Sequence, residues 1–240
     1  MSGTPHDVKA GEHVFRIAHE HGFRTGKPIF DDAANAEVKR TRVNPNTLAV
    51  GDVLVIPTLD PKVRSAATDQ TLLFTLAADE LLLNIVLQDE ARKPLAKRAF
   101  RLVLGASSTS TPTPTLSPPI DGITDAKGAL SAEIDVRVSE GELTLRDTDD
   151  PASPIADIIR LLVGSLEPAN TLTGQRTRLN NMGYFAGFSN ADTQQIKWAV
   201  EEFQHDHGIK PTGRTDDTVT FNRIAHEHGD LLASEIVPLS

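Results

Sequence analysis

The apolar residues of this chain change their spacing twice, from a helical period to an alternating one and back, and that limits the fold more than any single motif does. In IKWAVEEFQHDHG (196–208), Ile196, Ala199, Val200 and Phe203 fall at i, i+3, i+4 and i+7, one stripe of an amphipathic helix. Gly208 suits the left-handed conformation that ends such a helix, and a loop over 209–213 follows. Thr215, Asp216 and Asp217 offer capping oxygens to a next helix running through Phe221 and Ile224 to Gly229. Upstream, RLNNMGYF (178–185) reads as the end of an earlier helix plus an aromatic turn. Helices this short cannot bury their faces separately, so a three-helix bundle is expected over 167–240.

The other two periods lie upstream. HDVKAGE (6–12) alternates like a strand ending at Gly11, and Val14, Ile17, Ala18 and His21 then mark a helical face closed by Gly22. A second helix is expected within 29–41, with Ile29, Phe30, Ala33, Ala34 and Val38 inward, before turns at 44–46 and 51–52 and a buried strand VLVIP (53–57). Strand, helix, helix, strand makes a βααβ module over 1–58. From residue 70 the pattern turns to strands: LLFTLA (72–77), LLLNIVLQD (81–89), AFRLVLG (99–105), GALSAEIDV (128–136) and GELTLRD (141–147). Turns are expected at 90–94, 125–128 and 139–141, and IADIIRLLVGSL (155–166) reads as a closing strand or a short helix. This spacing points to a small antiparallel β-sandwich over 70–166. SSTSTPTPTLSPP (107–119) is too poor in apolar residues to pack and reads as a solvated loop. The fold class is therefore multidomain α+β, with joins near 59–69 and 166–173 where Pro61 and Pro168 stand.

Composition narrows the function. The net charge is −9; the first 57 residues are balanced and the acidic excess falls on the rest. Without a basic patch, nucleic acid and anionic membrane are poor partners, and a glycan would have to be recognised sterically and by hydrogen bonds. No apolar run is long enough to span a membrane, and the N-terminus lacks the basic head and apolar stretch of a signal peptide. The absence of Cys fits a reducing cytosol, or a protein that crosses compartments without needing disulfides. The expected location is the cytoplasm, with delivery to the periplasm or outside by an injection apparatus.

The heptad RIAHEHG occurs at 16–22 and again at 223–229, and QHDHG (204–208) carries a further His-x-His-Gly. On a helix, residues at i and i+2 point about 200° apart, so both imidazoles cannot easily reach one ion, and no metal is expected. Histidine in a last turn faces the negative end of the helix dipole, and Gly ends the helix. No Cys nucleophile exists and G-x-S-x-G does not occur. Asp157, within IADIIRLL, is the nearest approach to a carboxylate in an apolar run, and a strand edge or helix face is its expected home. No enzyme activity and no cofactor are expected.

The residues RLNNMGYF (178–185), AVEEFQ (199–204), His207-Gly208, Thr212-Gly213 and Thr218 resemble the peptidoglycan-binding domain found at the ends of many cell-wall hydrolases. That family's usual Asp-Gly after the aromatic turn is replaced here by AGFSNAD (186–192). VKAGEHVFRIAHEHG (8–22) and NPNTLAVGDVLVIP (44–57) resemble the opening and close of a LysM module. The resemblance implies a glycan groove around Gly11, Glu12, His13, Val14, Asn44, Pro45, Asn46, Thr47 and Leu48, or the same fold kept as a docking surface. His13 stands where that family usually has a small hydroxyl residue, and the span between the helices is longer than typical. KPLAKRAFRLVL (93–104) with GITDAKGALSAEI (122–134) resembles small sandwich modules of secreted and secretion-apparatus proteins. The whole order resembles proteins associated with type VI secretion and related contractile injection machines. It implies a non-catalytic adaptor whose partners are spike, baseplate or effector proteins and, as a further ligand, peptidoglycan. The alternatives are an exported wall-anchoring protein and the binding part of a wall hydrolase. Tyr184, Phe185, Phe188 and Trp198 are the expected partner-binding residues. Trp198 lies about 200° around the helix from Ile196, off the core stripe and beside Tyr184.

Overall fold

The computed structural model describes residues 3–42, 44–59, 81–106 and 116–230. The expected strand at 72–77, most of the 59–69 join and residues 107–115 of the Pro/Thr/Ser loop lie outside them. The chain divides into two compact units, residues 1–46 with 51–165, and residues 47–50 with 166–240.

In the first unit, β1 (Gly3–Asp7) pairs antiparallel with β2 (Val53–Pro57), His6 opposite Leu54. Helix α1 (Val14–Glu20) buries Val14, Ile17 and Ala18 of the predicted face, while His21, just past its end, is exposed. The expected second helix is broken into α2 (Lys27–Phe30), a 3-10 turn (Ala33–Asn35) and α3 (Ala36–Thr41). Ile29 and Phe30 are buried as expected, but Ala33 and Ala34 are exposed and Val38 is half-buried. Asn35 takes the inward place. Its amide donates to Ile29 O and Val55 O, both at 2.8 Å, and its Oδ1 accepts from Val55 N at 2.7 Å. A side-chain amide thus pairs with β2 on the edge that β1 leaves open, and Asp32 Oδ1 accepts from Ala34 N to start the turn. A continuous helix would have turned Asn35 away from β2.

The same unit holds two further antiparallel sheets. Strand β3 (Leu81–Val86) pairs with β6 (Ala129–Ile134), and a four-stranded sheet runs in the order β5 (Ile120–Ile123), β4 (Ala99–Gly105), β7 (Glu140–Arg146), β8 (Ile155–Leu162). Phe100, Leu102, Leu104, Leu143 and Leu145 from the larger sheet share one core with Leu130 and Ala132 from the smaller. The 155–166 run is a strand over its first eight residues and forms the sheet edge, with Asp157 exposed. Strand β5 is an addition to the expected set: with Gly122 in its centre, IDGI has no apolar run to announce it. Gly122 lies opposite Phe100, and a Cβ there would come within 2.7 Å of the ring. On the other face Arg101 forms a bidentate pair with Asp121, its register partner, at 2.8 and 2.9 Å. The turn at 125–128 is present, with Asp125 Oδ1 accepting from Lys127 N and Ala129 N. It links β5 and β6, which belong to different sheets.

In the second unit, helices α4 (Leu172–Asn181), α5 (Thr193–Asp206) and α6 (Thr218–His228) enclose one core of Leu179, Tyr184, Ala186, Ile196, Ala199, Val200, Phe203 and Ile224. The whole predicted stripe of α5 is buried in it. Thr171 caps α4, its Oγ1 accepting from Gly174 N at 3.0 Å, and Asp217 caps α6 through Val219 N. Gly22, Gly208 and Gly229 all carry the positive φ expected after their helices. No helix of the described residues is long and apolar enough to cross a membrane.

Candidate functional site

Buried polar side chains shape the second unit. Gln204, fully buried on α5, accepts at Oε1 from Thr212 N (2.7 Å) and Gly213 N (3.0 Å). Its Nε2 donates to Thr220 Oγ1 (2.8 Å) and Thr212 Oγ1 (3.1 Å), joining α5, the loop and α6. The Phe-Gln and Thr-Gly pairs of the sequence are therefore one hydrogen-bonded assembly. Arg178, also fully buried, donates from Nε to Asp230 Oδ2 at 2.9 Å and from Nη1 to Glu167 O and Gly174 O at 2.6 and 2.9 Å. Burial pushes the Asp230 carboxyl up, but hydrogen bonds from His228 and Arg178 outweigh it and hold the carboxyl below its ordinary value.

The loop over 183–192, between α4 and α5, is held from both sides. Asn180 Oδ1 accepts from Ala186 N and its Nδ2 donates to Gly187 O, both at 2.8 Å. Arg176 donates to Ala186 O and, at 2.7 Å, to Asn190 Oδ1. Asp192 Oδ2 accepts from Phe188 N at 2.7 Å and Ser189 N at 2.8 Å. The backbone N–H groups of Ser189 and Phe188 hold the Asp192 carboxyl below the usual carboxylate range. A side chain on Gly187 would collide with Asp192, and its φ of 76° favours glycine as well.

This frame displays two phenyl rings to solvent. Phe185 and Phe188 are 60% and 85% exposed, edge to face, with centroids 5.5 Å apart. Trp198 on α5 is 59% exposed, as its angle from Ile196 required. Tyr184 corrects the expectation: at 2% exposure it is a core residue, its ring edge-on to Phe203 and its hydroxyl donating to Asp206 Oδ2. It anchors the loop from inside and offers no surface to a partner. Aromatic rings fixed on an ordered loop can stack on a sugar or enter a protein groove at little ordering cost.

The N-terminal candidates are brought together in part. Val14 N donates to Pro45 O at 3.1 Å, so the two expected groove segments touch. Glu12 is half-buried; its Oε2 lies 2.9 Å from His6 Nε2 and accepts from Lys9 N at 2.9 Å. Burial raises the Glu12 carboxyl, and these two partners more than offset it, leaving it below its ordinary value. Gly11, Asn44 and Pro45 are half-buried and Asn46 is exposed, its N–H bound to Asn44 Oδ1 at 2.8 Å. His13, Val14, Thr47 and Leu48 are buried, so their side chains offer little surface to a ligand. Burial also holds the His13 imidazole down at about 4.

The repeated histidines have carboxylate neighbours. His228 Nδ1 is 2.6 Å from Asp230 Oδ1, and His226 and His207 approach Glu227 Oε1 at 3.2 and 4.0 Å.

Residues 175–220 match the family described as a putative peptidoglycan binding domain. The matched stretch takes in most of α4, the aromatic loop, all of α5 and the start of α6. It covers Gln204 and its hydrogen-bond partners as well, while the Arg178 partners Glu167 and Asp230 lie outside it. Neither a curated protein nor a solved structure matches the chain.

Proposed function

We propose that this chain is a non-catalytic, modular binding protein that grips cell-wall peptidoglycan through the 183–192 loop of its C-terminal unit. The observation that carries this reading is the exposed Phe185–Phe188 pair on a hydrogen-bonded loop inside the region matching a peptidoglycan-binding domain. Stacking against sugar rings suits such a surface, and the acidic chain needs no charge attraction to an anionic polymer. The finer role is that of an adaptor in a contractile injection apparatus, carried through the cytoplasm and delivered with its spike, baseplate or effector proteins. Support for that role is the order of modules read from the sequence.

Co-sedimentation of the full chain with purified sacculi tests the first part. The double variant Phe185→Ala, Phe188→Ala is expected to lose at least tenfold in affinity with its far-UV spectrum intact, since exposed anchors are worth about 2 kcal/mol each when buried on binding. Undiminished sedimentation of that variant overturns the loop as the site. Pull-down by purified spike and baseplate proteins tests the adaptor role, and failure with all of them refutes it.

A further inference from the structure

His13 has a place in this fold that the wall-binding reading does not use. It precedes α1 with extended backbone and its side chain makes no capping bond. The ring is 5% exposed and Nδ1 is buried without a hydrogen-bond partner among the described residues. Gly164, two residues past β8 with φ 76°, lies directly against it. A Cβ on Gly164 would sit 3.1 Å from His13 Cδ2 and 3.2 Å from Gly11 O, and one on Gly11 would lie 3.9 Å from Ser165 Oγ. The end of the sandwich is thus seated on residues 11–13 of the N-terminal module, with an imidazole sealed in the joint.

We propose that the His13–Gly164 contact is an acid-sensitive latch that holds the sandwich against the N-terminal module at neutral pH and lets it go when His13 takes a proton. The charged groups around the ring do not welcome a cation. On α1, Arg16 opposes the protonated form and Glu20 favours it more weakly. In the 9–12 loop, Lys9 is cationic and the Glu12 carboxylate is already taken by His6 and by Lys9 N. The segment 163–166 (Val, Gly, Ser, Leu) and residues 44–46 (Asn, Pro, Asn) bring no titratable side chain. Desolvation is therefore the main penalty on the imidazolium.

The sign follows from linkage. The docked imidazole titrates at about 4 against an ordinary 6.5. Docking is at full strength above the ordinary value, weakens as pH falls between the two, and is flat below the lower one. The docking constant should fall by up to about 300-fold across that window, the fold-change that such a difference in titration implies.

The chain has no Cys, so Glu37→Cys and Asp149→Cys, both exposed, can carry spin labels on the two sides of the joint. The full-length labelled protein is expected to show one narrow distance at pH 7.5 that broadens between pH 6 and 4 while far-UV ellipticity stays constant. Gly164→Val should broaden it already at pH 7.5, and the His13 ring, followed by NMR, should then titrate near its ordinary value. His13→Gln should stay narrow throughout. A wild-type distance unchanged to pH 4, broadening only with loss of ellipticity, or a His13→Gln variant loosening in acid like the wild type would each overturn the latch. So would a His13 ring that still titrates near 4 in Gly164→Val, because its burial would then not come from this contact.

Discussion

Replacing Gln204 tests whether the helices of the C-terminal unit are held by a polar assembly as much as by their apolar stripe. Its amide takes two backbone N–H groups, from Thr212 and Gly213, and gives two hydrogen bonds to threonine hydroxyls. Gln204→Leu keeps most of the buried volume and removes all four interactions. Thr220, fully buried, keeps its own hydrogen bond to Asp217 and loses only the one it accepts from Gln204, and the loop N–H groups of exposed Thr212 and half-buried Gly213 regain part of their hydration. With about 1–3 kcal/mol for a buried polar group left unpaired, and these groups keeping a partner or regaining water in part, the net loss should be about 1–3 kcal/mol. Gln204→Ala adds a cavity and should cost about 1–2 kcal/mol more. Urea unfolding followed by Trp198 emission measures this locally, because Trp198 is the single Trp and stands on the same helix. A loss below about 1 kcal/mol for Gln204→Leu would refute the reasoning. It would mean that the apolar stripe alone positions the loop.

Three further outcomes follow from the same structure. Arg178→Met should cost about 2–4 kcal/mol, because it takes one partner from the Asp230 carboxylate, leaving His228, and frees two carbonyls, and its urea midpoint measures the loss. Since Asp230 titrates below its ordinary value, its contribution is present above that value and lost as pH falls through the depressed one. The wild-type urea midpoint should fall in that acid window and that of Asp230→Asn should fall less, the remainder coming from other carboxylates held low, Asp192 among them. Gly122→Val should lower the melting temperature of the sandwich by several degrees by displacing Phe100, with Phe100→Ala in the same chain removing most of the added penalty. Limited proteolysis should release fragments ending within 59–69 and 166–173; a single resistant core spanning both joins would refute the three-module division.

Periodicity made α1, α5 and the strands β4, β6 and β7 legible, because each has one apolar face and one continuous pattern. It failed where a polar side chain took a backbone role. Asn35 broke the expected second helix by pairing with β2, and hydrogen bonds from an amide 20 residues away leave no periodic trace. Strand β5 was silent because its central Gly is covered by Phe100 from the neighbouring strand. The Phe-Gln and Thr-Gly pairs were recognised as a pattern, and the fold supplied the chemistry that links them. Of the aromatic candidates, helical geometry alone placed Trp198 outside. Tyr184 and Phe185 are adjacent in a turn, so no periodicity sorts them. The core of three helices decided that Tyr184 goes in and Phe185 stays out. At the other end, residues 11–14 were read as a surface by likeness. Whether His13 faces solvent or the end of β8 depends on a contact about 150 residues along the chain. Local pattern determines which segments are helix or strand; only tertiary packing decides which polar side chains are sealed inside and which rings stay exposed.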